Sequence, residues 1–231
     1  MKIGIIGAGY IGGTLARRLV ALGHEVSIAN SRGPDTLRTL AQETGARPVT
    51  VKEAARSGEI VIVTIPQRAV ADLPKDLFAG VPDDVVVIDT GNYYPARDGN
   101  IAALHAGTPE SVWVAEHLGR PVIKVFNNIY YSSLAEKGSP PGTSGRLALP
   151  VSGDPPAARA KVTRLVEELG FDAVEVGGLD ESWRHQPGTP AYTSDFDAAR
   201  LREALAAADR SKVGEYRNAA NEAAKAFFAA K

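Results

Sequence analysis

The stretch that most constrains this chain is its opening, KIGIIGAGYIGG. A short apolar run leads straight into Gly7, Gly9 and Gly12, spaced G-x-G-x-x-G. That spacing calls for a strand, a tight turn and a helix. Gly7 permits the turn, Gly9 lets a ligand come close to the backbone, and Gly12 lets the helix pack on the strand. Amides at the start of the helix then point outward, where the helix dipole favours a pyrophosphate. A dinucleotide is therefore expected along Gly7, Gly9, Tyr10, Ile11 and Gly12. A glycine-rich turn that only packs is the plainer alternative, and the strand–turn–helix setting argues against it.

The rest of the chain repeats the alternation. EVSIAN, IVIVTIP, VVVIDTG, PVIKVF, RLALPVSG and DAVEVGG are nearly continuous apolar runs, the pattern of parallel strands buried on both faces. Amphipathic stretches lie between them. GTLARRLVALG should stop at Gly23, and in GDPPAARAKVTRLVEELG Asp154 suits the N-cap, Pro155 the first turn and Gly170 the stop. The expected fold is α/β, a doubly wound, mainly parallel Rossmann-type sheet with a small C-terminal helical cap. After about Gly178 the pattern changes to the irregular, proline-bearing LDESWRHQPGTPAYTSDFD and then to two alanine-rich helices. Residues 1–178 are thus expected to form the nucleotide-binding domain. Residues 179–231 should be a loop and helical cap packed on it, with Leu201, Leu205, Phe227 and Phe228 as apolar anchors.

Bulk properties exclude several functions. A formal net charge of −1 gives no general attraction to nucleic acid or an anionic membrane. The absence of cysteine removes thiol catalysis, disulfides and zinc–thiolate sites. No grouping of His, Asp or Glu has spacing suited to a metal, and no apolar run approaches the roughly 18 residues of a membrane span. The apolar start is followed by glycines, not by a small-residue cleavage site, so a folded strand is expected there and a cytoplasmic protein overall.

About twenty residues after such a glycine pattern an Asp or Glu normally holds the adenosine ribose. Here the position reads Asn30, followed by Ser31 and Arg32. Loss of the carboxylate removes its repulsion of a 2′-phosphate. Ser31 adds a hydroxyl and an amide, Arg32 offers a guanidinium fork, and Thr36 after Pro34 adds another donor. The expected cofactor is NADP(H). A surface arginine in a polar turn is the alternative.

Together GAGYIG, NSRGP, TIP, DTGN, KVFNN and QPGTPAY resemble the NADPH-dependent reductases of coenzyme F420, the deazaflavin carrier. The resemblance runs from Met1 to about Tyr192. It implies hydride transfer between NADP(H) and a flavin-like ring, with coenzyme F420, FMN or FAD as possible acceptors.

In open α/β sheets ligands lie beyond the carboxyl ends of the strands. Thr64, Ile65 and Pro66 would then pass the nicotinamide, although Pro66 also serves as a strand terminator. Asn127 is either a cofactor contact or a turn residue. Hydride transfer between rings needs little acid–base chemistry. The candidate proton donors are His185 and Lys124, then His117 and Tyr192. Each of the first two has a structural alternative, as the anchor of an irregular segment for His185 and as a snorkelling ammonium for Lys124. Two other readings remain open, a reductase of a small carbonyl or imine and a protein that senses NADP(H) without turnover. A homodimer with a small-molecule acceptor is the expected assembly.

Overall fold

Runs of Val, Ile and Leu with little polar interruption become strands covered on both faces, because only such burial tolerates them. The structure, a computed structural model, describes residues 1–229. Eight strands among these residues form one sheet: β1 (Lys2–Ile6), β2 (Glu25–Ala29), β3 (Arg47–Pro48), β4 (Ile60–Val63), β5 (Val86–Asp89), β6 (Val122–Lys124), β7 (Ala148–Ser152) and β8 (Asp172–Gly177). Their order is β3-β2-β1-β4-β5-β6-β7-β8. The first six run parallel. β7 meets β6 antiparallel at Lys124 and Ser152, and β8 runs parallel to β7. The sheet is thus mainly parallel with its last two strands reversed. β3 has no counterpart among the apolar runs, because it consists of only two residues, Arg47 and Pro48.

The helices are α1 (Tyr10–Ala21), α2 (Arg38–Thr44), α3 (Val51–Ala54), α4 (Gln67–Val70), α5 (Pro95–Asp98), α6 (Ala102–His105), α7 (Glu110–Leu118), α8 (Tyr131–Glu136), α9 (Pro156–Glu168), α10 (Ala198–Ala207) and α11 (Val213–Ala229). Alternate strand residues feed two cores, since successive side chains leave a strand on opposite faces. Ile60 and Ile62 pack with Leu15, Leu19, Val162 and Leu165 of α1 and α9. Val61 and Val63 pack with Ala54, Val70, Leu104 and Val114 on the other side. Fully burying one such side chain is worth about 1.5–3 kcal/mol, so these faces fix the register of the sheet. Among the described residues no helix is long and apolar enough to cross a membrane.

Two local expectations are corrected. Asp154 does not cap α9. The N-cap is Pro155 with no side-chain bond, and the Asp154 carboxylate instead faces the amide of Leu179, 3.4 Å away. Leu201 and Leu205 of α10 do bury against Ala148 and Val174, but Phe227 on α11 is half exposed. Phe227 and Phe228 meet the rings of Tyr10, at the start of α1, and Tyr94, in the loop after β5, so α11 is held by polar and ring contacts. A buried Arg217 under the ring of Tyr93 is one of these.

Candidate functional site

Strand order reverses between β1 and β4, and the loops leaving β1, β4, β5 and β6 gather at that end of the sheet. In the first loop the glycines divide by role. A Cβ at Gly7, where φ is +117°, or at Gly12 would strike backbone oxygens of Thr64 and Gly7 respectively. These two are required by the fold itself. Gly9 is different, because a Cβ there meets nothing within 4 Å. It is the N-cap of α1 and has no side-chain capping bond, so the amides of the first turn face an open cradle suited to phosphate oxygens. Tyr10 is exposed beside this cradle, while Ile11 packs toward the core.

In the NSRGP turn after β2, Asn30 works as a structural clasp. Its Oδ1 accepts from the amide of Arg32 at 3.0 Å and its Nδ2 donates to Thr36 Oγ1 at 2.9 Å. The Thr36 hydroxyl donates to the carbonyl of Gly33 at 2.8 Å. Asn30 and Thr36 therefore shape the turn through internal bonds. Ser31 and Arg32 stand exposed at its tip, and among the described residues Arg32 forms no ion pair. Thr64 and Ile65 are half-buried where β4 ends, and Pro66 is exposed as the N-cap of α4.

Beneath the loops lies a buried polar network. Asp89, at the end of β5, accepts from Gly91 N at 2.7 Å, Ser111 Oγ at 2.7 Å and Lys124 Nζ at 3.0 Å. Lys124 also donates to the carbonyl of Gly91. Lys124 is fully buried within this ion pair, so it does not snorkel. His185 is also fully buried. Its Nδ1 lies 2.9 Å from Asn127 Oδ1 and its Nε2 2.8 Å from Ser152 Oγ. Burial, then the Lys124 charge, depress its pKa to about 3, leaving a neutral ring that donates from Nδ1 and accepts at Nε2. Asn127 Nδ2 donates to the carbonyl of His185 at 2.7 Å and to Asn92 Oδ1 at 3.1 Å. Its polar atoms thus have internal partners. Phe126, at φ +63°, supplies the left-handed turn that swings Asn127 inward.

Lys124 and His185, the two candidates for catalysis, are accordingly positioning residues that hold the loops after β5 and β6. His117 is remote. It sits near the end of α7, its ring tilted 33° to that of Trp113 with centroids 3.8 Å apart, at the amino edge of β6. Tyr192 does reach the loop region, where its hydroxyl meets that of Tyr94 at 2.5 Å. Burial raises the pKa of both phenols, so both remain protonated. Asp89, Ser111, Asn92 and Ser152 were missed from sequence. Asp89 alone carried a signal, a carboxylate at the end of an apolar run. Among the described residues there is no group of three or more His, Asp or Glu able to hold a metal.

Glu110, at the start of α7, is buried and accepts from Tyr93 N at 3.0 Å. Burial lifts its carboxyl to about 7 against the pull of Lys124, the Tyr93 amide and Arg217. Since folding raises this pKa from 4.5, its stabilising contribution is complete below about pH 4.5 and is lost as pH rises to about 7. Wild-type stability minus that of Glu110→Gln, from urea denaturation, is expected to fall by about 3 kcal/mol over that range. The difference cancels His185, whose depressed pKa acts oppositely, costing stability as pH falls below 6.5. A flat difference would place Glu110 in water.

Comparison with known proteins fits this geometry. Residues 2–93 match the family described as NADP oxidoreductase, coenzyme F420-dependent. A hypothetical protein from Sinorhizobium meliloti is 32% identical in its crystal structure, with a TM-score of 0.65 over 78% of this chain and 86% of that one. The chain belongs to the coenzyme F420-dependent NADP oxidoreductase family. A protein from Arthrobacter sp. FB24, provisionally described as an F420-dependent NADP reductase, shares the fold at 24% identity and a TM-score of 0.63, over 78% of this chain and 86% of that one. The YjhV protein of Escherichia coli K12 is 47% identical over 78 residues. That match spans 34% of this chain and about half, 55%, of YjhV. The family match covers β1 to β5, which includes the glycine cradle, the NSRGP turn and the strand end at Asp89.

Proposed function

We propose that this protein binds NADP(H) and transfers a hydride between it and a flavin or deazaflavin ring of the coenzyme F420 type. One observation carries the cofactor reading. The open cradle over Gly9 lies beside a turn in which Asn30 stands where a ribose-binding carboxylate is usual and Arg32 is exposed two residues further on. Gly9 and the first amides of α1 would hold the pyrophosphate, and Ser31 and Arg32 the 2′-phosphate. Thr64, Ile65 and Pro66 would line the nicotinamide end. When bound, the nicotinamide supplies the hydride, which with one proton reduces the acceptor.

The chain's own residues have three tasks. They position two rings with the reacting carbons within about 3.5 Å, exclude water, and keep the loops rigid. Rigidity comes from the buried Asp89–Lys124 pair and the Ser152–His185–Asn127 chain of bonds. The Tyr94–Tyr192 hydroxyl pair places two protonated phenols in this loop region.

The test is Arg32→Ala. One or two charge-assisted hydrogen bonds at about 1.5–3 kcal/mol each predict NADPH binding at least about tenfold weaker. NADH binding should be nearly unchanged. Equal loss for both cofactors would refute the 2′-phosphate assignment. NADPH oxidation followed with FMN, FAD, riboflavin and deazaflavin acceptors then reads the acceptor class. Turnover of a small imine or carbonyl and of no ring would favour that substrate class instead.

A further inference from the structure

Among the described residues five large apolar side chains stand exposed, and three of them touch one another. Tyr131, at the start of α8, stacks on Tyr10, the first residue of α1, with centroids 4.6 Å apart and planes 17° apart. Phe227 of α11 lies 6.4 Å from Tyr10 on a tilted plane. The chain of rings continues through Phe228, 5.7 Å from Phe227, to Tyr94 in the loop after β5, 5.1 Å further on. Arg97 adds a guanidinium over the Phe228 ring, and Asn221 Oδ1 accepts from the amide of Ala96 at 2.7 Å. α11 is therefore pinned to the post-β5 loop at one point and reaches the start of α1 at another.

Strand order decides what this contact crosses. β4 lies between β1 and β5, so the ring contacts of α11 with Tyr10 and Tyr94 fall on either side of the loop that leaves β4, Thr64–Ile65–Pro66. That loop is where the nicotinamide would lie. A folded protein seldom leaves such an aromatic patch exposed without a use, and flat rings are what such a patch binds best.

We propose that this aromatic rim is the recognition surface for the hydride acceptor. Tyr131 and the Phe227 end of α11 select a flat, fused-ring molecule over a small carbonyl compound. This assignment rests on the NADP(H) reading above and makes the C-terminal helix one wall of the acceptor slot. A fused ring offers two broad faces to stack on tyrosine and phenylalanine, whereas a small carbonyl or imine substrate offers none of comparable area.

The test uses the full chain saturated with NADP+ and titrated with riboflavin, whose fluorescence is quenched on stacking. NADP+ affinity is recorded separately by calorimetry. Tyr131 and Phe227 are about half exposed, so Tyr131→Ala and Phe227→Ala are expected to fold. Each should bind riboflavin about tenfold more weakly or worse, with NADP+ affinity unchanged. Equal riboflavin affinity in wild type and both variants would overturn the proposal. Tighter binding by Phe227→Ala would do so too, since Phe227 would then be a plug and not a wall. Failure of the NADP+-bound wild type to bind riboflavin overturns this inference alone. Failure to bind NADP+ overturns the cofactor reading and this inference with it.

Discussion

Replacement of Gly9 by valine is expected to abolish binding of NADPH and NADH alike while leaving the fold intact. The backbone at Gly9 has φ −78° and ψ −163°, an extended conformation open to any residue, and nothing in the chain lies within 4 Å of an added Cβ. The cost to stability should therefore not exceed about 1 kcal/mol, the penalty of a poor N-cap. The lost space is the space a pyrophosphate needs, so affinity should drop beyond detection in a calorimetric titration. Gly7→Val and Gly12→Val provide the contrast. Their side chains would strike backbone oxygens, and Gly7 has a left-handed φ as well, so both should unfold the chain or cripple its expression. A Gly9→Val protein that is folded and still binds NADPH normally would show that the loop is only structural.

Lys124→Met is expected to destabilise the protein by about 3–5 kcal/mol, since it strands the buried Asp89 carboxylate without its cation. Urea denaturation would read this as a lower midpoint with an unchanged slope. The double replacement Lys124→Met with Asp89→Leu should recover part of the loss, because an apolar pair avoids the burial of a lone charge. Recovery will be incomplete, as Gly91 N and Ser111 Oγ also bond to Asp89. If Lys124→Met left stability unchanged and removed turnover, lysine would have a direct chemical role and the positioning assignment would fall.

Gly9 and Lys124 differ in how far their roles could be read from the amino-acid sequence. The glycine loop, the strands and the substituted acid at Asn30 were readable because each is local. A turn with positive φ, a strand buried on both faces and a helix start leave their marks within ten residues. Helix stops followed the same logic, with Gly23 and Gly170 at positive φ just past α1 and α9. Direction was not local. RLALPVSG is equally apolar whether it runs with or against its neighbour, so the reversal of β7 and β8 is absent from the pattern.

The roles of Lys124, Asn127 and His185 depended on tertiary structure for the same reason. Sequence marked each as a polar group in an unusual place, but its role depended on partners 33 to 58 positions away, at Ser152, Asn92 and the segment after β8. A buried amine beside a carboxylate is a strut, and the same amine beside open solvent would be a proton donor. Phe227 and Phe228 followed the same course. Their apolar character was evident, but whether they face the sheet or the rim of the cleft depends on how α11 docks on the loop after β5. Sequence alone determined the sheet class, the glycine-rich turn into α1 and the Asn30 turn that stands where a carboxylate is usual, because these follow from local sterics and charge. Tertiary structure decided which polar groups are shut inside, which way the last strands run and where α11 docks, because burial and chain direction belong to the assembled fold.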